Sequence, residues 1–217
     1  MTAYLNTSRQ QENPSLPIPD IDFSAPFRRL DFITTIEKTI GRSLPDLAAP
    51  NAVDQVKDLY AALSLPLPGQ PTLPRLLDKL CATYVESQCR DPTFIVYPPE
   101  CLSPLAKSFR HPTCNQHVAA RCELFIEGRE YVNMYEEENS PFEQRRKFKE
   151  QLLNSVDAKE PEDKIDESYL QALEWGLPPT GGWGCGVDRL VMLFACKDKI
   201  AEVLPFGNLR QVTRGIE

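Results

Sequence analysis

The sequence predicts an α+β fold in which an antiparallel β-sheet carries helices on one side. Short helical patterns separated by prolines fill the first half of the chain. The second half contains β-rich runs, and two of these flank a Glu127-Gly128 pair that is typical of a hairpin turn. Helices and strands grouped in this way indicate an α+β architecture.

Prolines divide the first half into short helices, because a proline interrupts the interior of a helix. Ten of the twenty prolines precede residue 75. Apolar residues at helical spacing between these prolines predict helices over residues 32–40, 53–63 and 73–89. Gly41 ends the first of them.

The second half begins with a β-rich run at 93–97, which two prolines stop. Strands at 121–126 and 129–135 form the predicted hairpin. Ser140 and Glu143 form a capping box that opens a basic helix. The remaining elements are a helix at 167–175 capped by Asp166, a glycine-rich strand at 181–186 and an apolar helix at 187–196.

The composition is that of a globular protein with a single domain. The chain has 217 residues, of which 41% are apolar and 25% charged. No apolar run reaches the length of a membrane span, and the N-terminus resembles no targeting segment. Residues 1–19 are polar and contain prolines, so we expect a flexible segment ahead of a domain at 20–217. The net charge of −7 argues against a module that binds nucleic acid through a basic surface.

Seven cysteines are scattered along the chain, and none forms a C-x-x-C pair. Cys114 together with His111 and His117 could hold zinc, although this spacing matches no standard zinc motif. Free thiols in a reducing compartment are the better interpretation.

Glycines alternate along the predicted strand at 181–186, GGWGCG. Alternate glycines leave one face of a strand without side chains, so a nucleobase can lie flat against the backbone. Arg189 follows in the first turn of the next helix, where its guanidinium can stack on a base and reach phosphate oxygens. The alternative is tight packing of the strand under the helix, with Arg189 in an ordinary surface ion pair.

Two acids of the predicted hairpin are candidates for a metal site. A two-residue turn makes Glu123 and Glu130 diagonal neighbours on one face, roughly 7 Å apart. Two carboxylates so placed repel each other unless a positive charge lies between them. Mg²⁺ that also binds phosphates is the cation we expect there. The alternative, which the pattern alone favours, is a solvated strand face with Arg121 or Arg129 as the counter-charge.

Three polar side chains alternate along the second hairpin strand and so share one face: Asn133, Tyr135 and Glu137. An amide, a phenol and a carboxylate could hold the carboxylate, the aliphatic stem and the terminal ammonium of an amino acid. Glu136 and Glu138 are expected to point to solvent. The alternative places Glu137 in the same exposed acidic run.

The string GGWGCGVDRLVMLF at 181–194 resembles motif 3 of the class II aminoacyl-tRNA synthetases. The preceding GLPPT at 176–180 is similar to the lead-in of the lysyl, aspartyl and asparaginyl subgroup. The resemblance implies that Arg189 binds ATP and acts in catalysis. It also implies that Gly184 lies beside ATP and Gly186 beside the amino acid.

The string ELFIEGREYVNMYEEENSP at 123–141 resembles the lysyl segment E-L-F-x-x-x-x-E-x-x-N-A-Y-T-E-L-N-D-P. The resemblance implies that Glu123 and Glu130 bind Mg²⁺ and ATP, and that Asn133, Tyr135 and Glu137 form a lysine pocket. The aspartyl and asparaginyl enzymes lack this N-x-Y-x-E run. Four positions depart from the lysyl pattern, namely Met134, Glu136, Glu138 and Ser140.

The hairpin register conflicts with this resemblance. An unbroken ladder pairs Glu123 with Val132 and points Glu130 and Asn133 to opposite faces of the sheet, whereas the family has both in one cleft. A bulge near 131–132, or a different turn, is therefore needed to re-aim the strand.

Further matches extend the resemblance from about residue 20 to residue 206. They are D-F-x-x-P-F-R-R from 22, R-L-L-D-K-L from 75, P-T-F-I from 92 and S-P-L-A-K from 103. The ending VLPFG at 203–207 resembles that of fungal mitochondrial lysyl enzymes.

The resemblance implies ATP-dependent activation of lysine with Mg²⁺, transfer to tRNA(Lys), a homodimer, and a cytoplasmic or mitochondrial location without a membrane partner. The anticodon-binding OB-fold and motifs 1 and 2 of the family are not recognised here, and the R-x-E at 121–123 is interpreted as accidental. We therefore expect a sheet that is incomplete on its N-terminal side and little activity from the chain alone. The alternatives are a non-catalytic fragment that binds ATP or a partner, and the aspartyl or asparaginyl branch.

Overall fold

The computed structural model of the chain describes residues 21–153 and 165–205. The predicted flexible segment at 1–19 lies outside the described residues, as do residues 154–164 and the chain from 206 onwards. The domain division at residue 20 therefore stays a prediction. In the part of the chain that is described, no helix is both long enough and apolar enough to cross a bilayer.

A five-stranded sheet forms the centre of the fold. Its strands are β1 (Arg28–Asp31), β2 (Thr93–Val96), β5 (Arg121–Ile126), β6 (Arg129–Glu136) and β7 (Gly181–Cys185), in the order β1-β2-β5-β6-β7. β1 runs parallel to β2, and each other neighbouring pair is antiparallel. β3 (Ser108–Arg110) and β4 (His117–Ala119) form a separate antiparallel pair. The predicted α+β class with a mainly antiparallel sheet is confirmed.

Six α-helices flank the sheet within the described residues. They are α1 (Phe32–Ile40), α2 (Ala52–Ala62), α3 (Leu73–Tyr84), α4 (Pro141–Leu153), α5 (Glu167–Glu174) and α6 (Val187–Ala195). Asp31 caps α1 by accepting a hydrogen bond from the Thr34 amide, and Gly41 ends α1 at a left-handed φ of 69°. Except for α3, these helices agree with the predicted ones to within about a residue at each end.

The helix predicted over 73–89 is too long, because α3 ends before a short 3-10 segment at Glu86–Gln88. The φ of Val85 is −115°, far from the helical value. The Ser87 hydroxyl then donates to the Thr83 carbonyl at 2.8 Å. Such side-chain bonds compete with the helical ladder, and the apolar periodicity continues through the break without showing it.

The hairpin turn forms as predicted. Glu127 and Gly128 both have positive φ, 52° and 68°, as a type I′ turn requires. Their amides donate to the carbonyls of Arg90 and Cys89, each at 2.9 Å. These two bonds hold Glu127 in a left-handed conformation that a residue with a Cβ seldom adopts.

Different helices cover the two faces of the sheet. Ile95 and Phe125 point to the face covered by α1, α2 and α3, which we call the helical face. Ile126 and Val132 point to the opposite face and pack against Leu193 of α6; we call this the α6 face. The helices therefore lie on both sides of the sheet, and the expectation of helices on one side only was too narrow.

Candidate active site

A β-bulge in the hairpin decides which side chains share the helical face. Phe125 pairs with Glu130, but the register then shifts and Glu123 pairs with Asn133. Because successive strand residues point to opposite faces, the extra residue on β6 brings Glu130 and Asn133 onto one face. The predicted bulge is present and puts both residues on the same face, as the resemblance requires. The predicted pairing of Glu123 with Val132 is wrong.

β7 presents its backbone to the same face. Asn133 lies opposite Gly184, and Tyr135 lies opposite Gly182. A Cβ added to Gly184 would meet only the Asn133 carbonyl oxygen within 4 Å, at 3.9 Å. At Gly184 the strand therefore forms an open floor beside the polar side chains of β6, on which a flat ligand can lie.

Glu123 and Glu130 both lie on the helical face, and each has an arginine partner. Arg121 pairs with Glu123, and both side chains are largely buried, at 18% and 19% exposure. Arg189 Nη1 lies 3.2 Å from Glu130 Oε2 in a more exposed pair. Burial raises the pKa of the Glu123 carboxyl, the Arg121 guanidinium opposes this, and the Glu130 charge raises it again. The two carboxylates are thus close enough to repel each other.

Two carboxylates on one face supply the oxygen ligands that Mg²⁺ prefers. Glu86 adds to the negative charge, and its pKa is raised by burial, by Asp78 and by Glu130. A divalent cation would relieve this repulsion. Among residues 21–153 and 165–205, no group of three or more His, Cys, Asp or Glu side chains is arranged to hold a metal by itself. The oxygen ligands of Glu123 and Glu130 are of the kind that Mg²⁺ takes when it also binds phosphates.

The geometry of His111 does not support the zinc alternative. Its Nε2 lies 2.8 Å from Asp31 Oδ2, and its Nδ1 accepts the amides of Thr113 and Cys114, each at 3.3 Å. Both ring nitrogens are therefore engaged in tying the β3–β4 loop to the start of α1. His117 is exposed on β4.

Arg189 and Gly186 group with Glu130. Gly186 caps α6, and its amide donates to the Tyr131 carbonyl at 2.9 Å. A Cβ added to Gly186 would meet Arg189 Cδ at 3.4 Å. Arg189 also donates to the backbone carbonyl of Glu130. Gly186, for which a lysine contact is predicted, thus lies at the Arg189 end of the candidate site, beyond the position opposite Asn133.

Asn133 and Tyr135 line a small cavity of about 150 Å³. Arg121 forms part of the same wall, and its Nε donates to Asn133 Oδ1 at 2.9 Å. Its Nη1 donates to the Leu102 carbonyl and to the Ser103 hydroxyl, each at 3.0 Å. Arg121 therefore joins the sheet to the loop that closes the cavity and fixes the orientation of the Asn133 amide.

Glu137 follows β6 and lies over β7. Its amide donates to the Thr180 carbonyl at 2.9 Å, and its side chain covers Gly182. Burial raises the pKa of the Glu137 carboxyl, and Glu137 itself adds to the rise that burial causes in the pKa of Tyr135 and Tyr169. A carboxylate withdrawn from water beside two phenol rings suits a ligand with a cationic end, which would favour its charged form.

Glu138 is buried, contrary to the prediction that it points to solvent. It is 5% exposed, and its Oε2 lies 2.7 Å from Lys147 Nζ, which also donates to the Ala106 carbonyl at 2.6 Å. Glu136 is half-exposed and pairs with Lys107 at 2.9 Å, as an outward residue should. β6 ends at Glu136, so strand alternation no longer applies at Glu138, where α4 covers the chain.

Sequence reasoning missed part of the role of Arg121 and the whole role of Lys147. Arg121 is confirmed as the counter-charge of Glu123, but its hydrogen bonds to Asn133 and to the cavity loop were not predicted. Its spacing of two residues from Glu123 on one strand is a signal for an ion pair on a shared face. No comparable signal exists for Lys147, since its contact with Glu138 depends on how α4 packs.

Two larger cavities, of about 360 and 460 Å³, share Glu100, Cys101 and Glu150 in their walls. They lie against α4 and contain none of the residues predicted to bind ATP, lysine or Mg²⁺. Arg146 pairs there with Glu100 at 2.7 Å, Glu143 at 2.9 Å and Glu150 at 2.8 Å. Arg146 thus joins three carboxylates in one ion-pair network, which favours a structural role.

Comparison with known proteins identifies relatives along most of the chain. Residues 1–210 match the family model described as tRNA synthetases class II (D, K and N). The chain is 39% identical over 197 residues to the mitochondrial lysine–tRNA ligase of Schizosaccharomyces pombe. It is 38% identical over 193 residues to lysine–tRNA ligase cla4 of Cladosporium cladosporioides, and 36% over 195 residues to the lysine–tRNA ligase of Aquifex aeolicus.

Each of these matches covers 88% of this chain but only 37%, 32% and 31% of the respective relative. The chain therefore spans about a third of the length of the curated relatives it matches. The chain belongs to the class II tRNA synthetase family of the aspartate, lysine and asparagine enzymes.

Proposed function

We propose that this chain carries lysine- and ATP-binding residues of a lysine–tRNA ligase, which activates lysine with ATP and transfers it to tRNA(Lys). The observation that carries the proposal is the shared sheet face of Glu123, Glu130, Asn133 and Tyr135 beside the glycine floor of β7. The relatives named as lysine–tRNA ligases in fungi and in a bacterium support the lysine branch over the aspartate and asparagine branches.

The ATP end of the proposed site lies around Arg189. Glu123 and Glu130 would hold Mg²⁺, which neutralises phosphate charge when it is bound. Gly184 provides backbone floor for the nucleotide. Arg189 contacts Glu130 in the structure, and exchanging this contact for ATP brings its guanidinium to the base and phosphates.

The amino-acid end lies around Asn133 and Tyr135. Asn133 is held by Arg121 beside the cavity, and Tyr135 provides a ring for an aliphatic stem. Glu137 would pair with the terminal ammonium of lysine. The same carboxylate would repel the acidic side chain of aspartate, so the site selects by repulsion as well as by attraction.

The reaction follows from this arrangement of charges. A carboxylate oxygen of lysine attacks the α-phosphorus of ATP, the bond to the bridging oxygen breaks, and lysyl-adenylate and pyrophosphate form. A terminal ribose hydroxyl of the tRNA then displaces AMP. Because the attacking carboxylate is already ionised, the first step depends on positioning and charge neutralisation more than on a general base.

The cellular setting follows from the relatives. Their names include mitochondrial and cytoplasmic enzymes, such as those of Schizosaccharomyces pombe and Enterocytozoon bieneusi. We infer an intracellular site of action in one of these two compartments. The homodimer stays a prediction of the family resemblance.

Calorimetric titration of the chain tests the proposal directly. We expect lysine to bind in preference to aspartate and asparagine, and ATP with Mg²⁺ to bind independently. Glu137→Gln should weaken lysine about tenfold or more, since a hydrogen-bonded charge is lost, and Arg189→Ala should weaken ATP. Glu136→Gln is the matched control, because Glu136 points away from the site and pairs with Lys107.

Equal affinity for lysine and aspartate, or equal effects of Glu137→Gln and Glu136→Gln, would contradict the proposal. Lysine-dependent exchange of pyrophosphate into ATP then separates two cases. Exchange that Arg189→Ala abolishes supports catalysis by this chain. Binding without exchange supports the alternative in which the chain binds the substrates and does not catalyse.

A further inference from the structure

Gly182 differs from its neighbouring glycines in what lies above it. A Cβ added to Gly182 would overlap the Glu137 Oε1 atom and lie 3.1 Å from its Cδ. A Cβ on Gly181 would meet nothing within 4 Å, and one on Gly184 would meet only a backbone oxygen at 3.9 Å. Of these three positions, only Gly182 is filled by a functional side chain.

Backbone conformation does not explain the glycine at 182. Positive φ values occur among the described glycines at Gly41, Gly128 and Gly176, and Gly182 is not among them. A residue with a Cβ could therefore adopt the backbone of Gly182 without strain. What excludes a side chain is the Glu137 carboxylate, which occupies the place that the Cβ would take.

We propose that Gly182 is a positioning residue for lysine specificity. Because it has no Cβ, it leaves the space above β7 that the Glu137 carboxylate occupies. This inference rests on the proposed function, in which Glu137 pairs with the lysine ammonium. The Glu137 amide donates to the Thr180 carbonyl at 2.9 Å, which holds the Glu137 backbone in place. The space above Gly182 then sets the direction of the Glu137 side chain. A larger residue at 182 pushes the carboxylate out of the pocket.

The geometry also predicts that such a residue leaves the fold intact. The atoms that meet the added Cβ are Oε1, Cδ and Cγ of Glu137, all in the outer part of a flexible side chain. Rotation of this side chain removes the overlap at little cost, since a carboxylate can turn toward water. The effect of the substitution is thus a displaced charge rather than a disrupted sheet.

The test compares two glycine variants in the same strand. Gly182→Ala should weaken lysine binding by roughly ten- to a hundredfold, the loss expected when a charge-assisted hydrogen bond is removed. Gly181→Ala should change lysine affinity by less than about twofold, because its added methyl group meets nothing within 4 Å. Affinity for ATP with Mg²⁺ should stay unchanged in Gly182→Ala.

Two further readouts separate positioning from a general structural effect. Norleucine has the stem of lysine without its ammonium, so Gly182→Ala should lose most of the preference for lysine over norleucine and keep its norleucine affinity. Adding Glu137→Asp to Gly182→Ala should restore part of the lysine affinity, because the shorter carboxylate avoids the added methyl group. A variant that merely loosens the sheet would show neither result.

A stability cycle covers the case in which Gly182→Ala fails to fold. In a Glu137→Ala background the overlapping atoms are gone, so adding Gly182→Ala should leave the free energy of unfolding unchanged. If Gly182→Ala lowers the free energy of unfolding in that background too, the proposal is overturned. It is also overturned if Gly182→Ala binds lysine as tightly as Gly181→Ala while Glu137→Gln still lowers lysine affinity. That second result leaves the proposed function standing. If Glu137→Gln has no effect either, the proposed function fails together with the inference.

Discussion

The two faces of the sheet differ in how completely they are covered. Among the described residues, the core on the helical face contains nineteen buried residues, whereas the core on the α6 face contains five. Apolar side chains on the α6 side remain exposed, with Trp183 and Val187 each at 68%. Val191 and Phe194 extend this exposed stripe along α6, which we call the α6 stripe (residues 187, 191 and 194).

This difference shows how the candidate site is supported. Glu123 and Arg121 lie on β5, in the middle of the sheet and beside the packed helices. Gly182 and Gly184 lie on β7, an edge of the sheet, and Arg189 follows on α6. One side of the site is therefore built on the most stable part of the described structure, and the other on its least covered part.

The largest expected effect is at the buried pair of Glu138 and Lys147, where α4 covers the chain beyond β6. Lys147→Met leaves a buried carboxylate without its partner, so we expect the free energy of unfolding to fall by about 3–5 kcal/mol. Lys107→Met is the matched control, because Lys107 pairs with the half-exposed Glu136 and should lose less than about 1 kcal/mol. Urea denaturation of both variants measures the difference.

The double variant Glu138→Leu with Lys147→Met sharpens this test. Replacing both charges with apolar groups removes the unpaired carboxylate and should recover most of the lost stability. If the double variant is as unstable as Lys147→Met, the loss comes from the contact between Lys147 and the Ala106 carbonyl and not from the stranded charge.

A second pair of substitutions compares the two faces directly. Leu76 of α3 is fully buried in the helical core, and Leu76→Ala should cost about 2–5 kcal/mol through lost burial and a residual cavity. Val187 of α6 is 68% exposed, and Val187→Ala should change stability by less than about 0.5 kcal/mol. Equal losses in urea denaturation would mean that the α6 side is covered in solution and that the comparison of faces is wrong.

Local patterns were sufficient for most elements of the fold. The turn at Glu127-Gly128 and the capping residue Asp166 depend on neighbours in sequence, so their chemistry is visible before folding. The bulge in β6 could also be predicted, because the resemblance required Glu130 and Asn133 on one face and the ladder alone did not allow it. The end of α3 could not, since its competing side-chain bonds leave the apolar period unchanged.

The candidate site was harder to predict where it depends on packing. Glu138 continues the alternation of β6 in sequence, and only the position of α4 turns it inward to Lys147. The link from Arg121 to Ser103 joins residues eighteen apart, across a loop whose path no local pattern fixes. The special place of Gly182 among the glycines of β7 depends on the Glu137 side chain, which reaches it from the neighbouring strand.

A smaller effect is expected for association of the chain through the α6 stripe. Exposed apolar side chains along one helix face favour self-association, and β7 beside them is an edge strand. Val187→Lys with Val191→Lys should raise the apparent dissociation constant of any oligomer about tenfold or more in sedimentation velocity. Trp175→Ser is the control, because Trp175 is 92% exposed at the end of α5, outside the stripe. A monodisperse monomer of the unaltered chain at high concentration would count against this prediction.

The smallest expected effect is the loss of stability that the Glu137 carboxylate causes in the folded chain. Burial raises the pKa of the Glu137 carboxyl above its ordinary value of 4.5, so the charged form is disfavoured in the folded state. Glu137→Gln should therefore raise the melting temperature at neutral pH, by roughly 1–2 °C. The sign follows from linkage, because above the raised pKa both folded and unfolded chains are ionised and the folded chain bears the full penalty. The gain should shrink as pH falls through the raised pKa and vanish below 4.5, where both states are protonated.

Saturating lysine should reverse the order of the two melting temperatures, since only the carboxylate of the unaltered chain pairs with the lysine ammonium. A gain that persists unchanged at low pH would show that Glu137→Gln stabilises by packing, and that the raised pKa of Glu137 does not describe the free site.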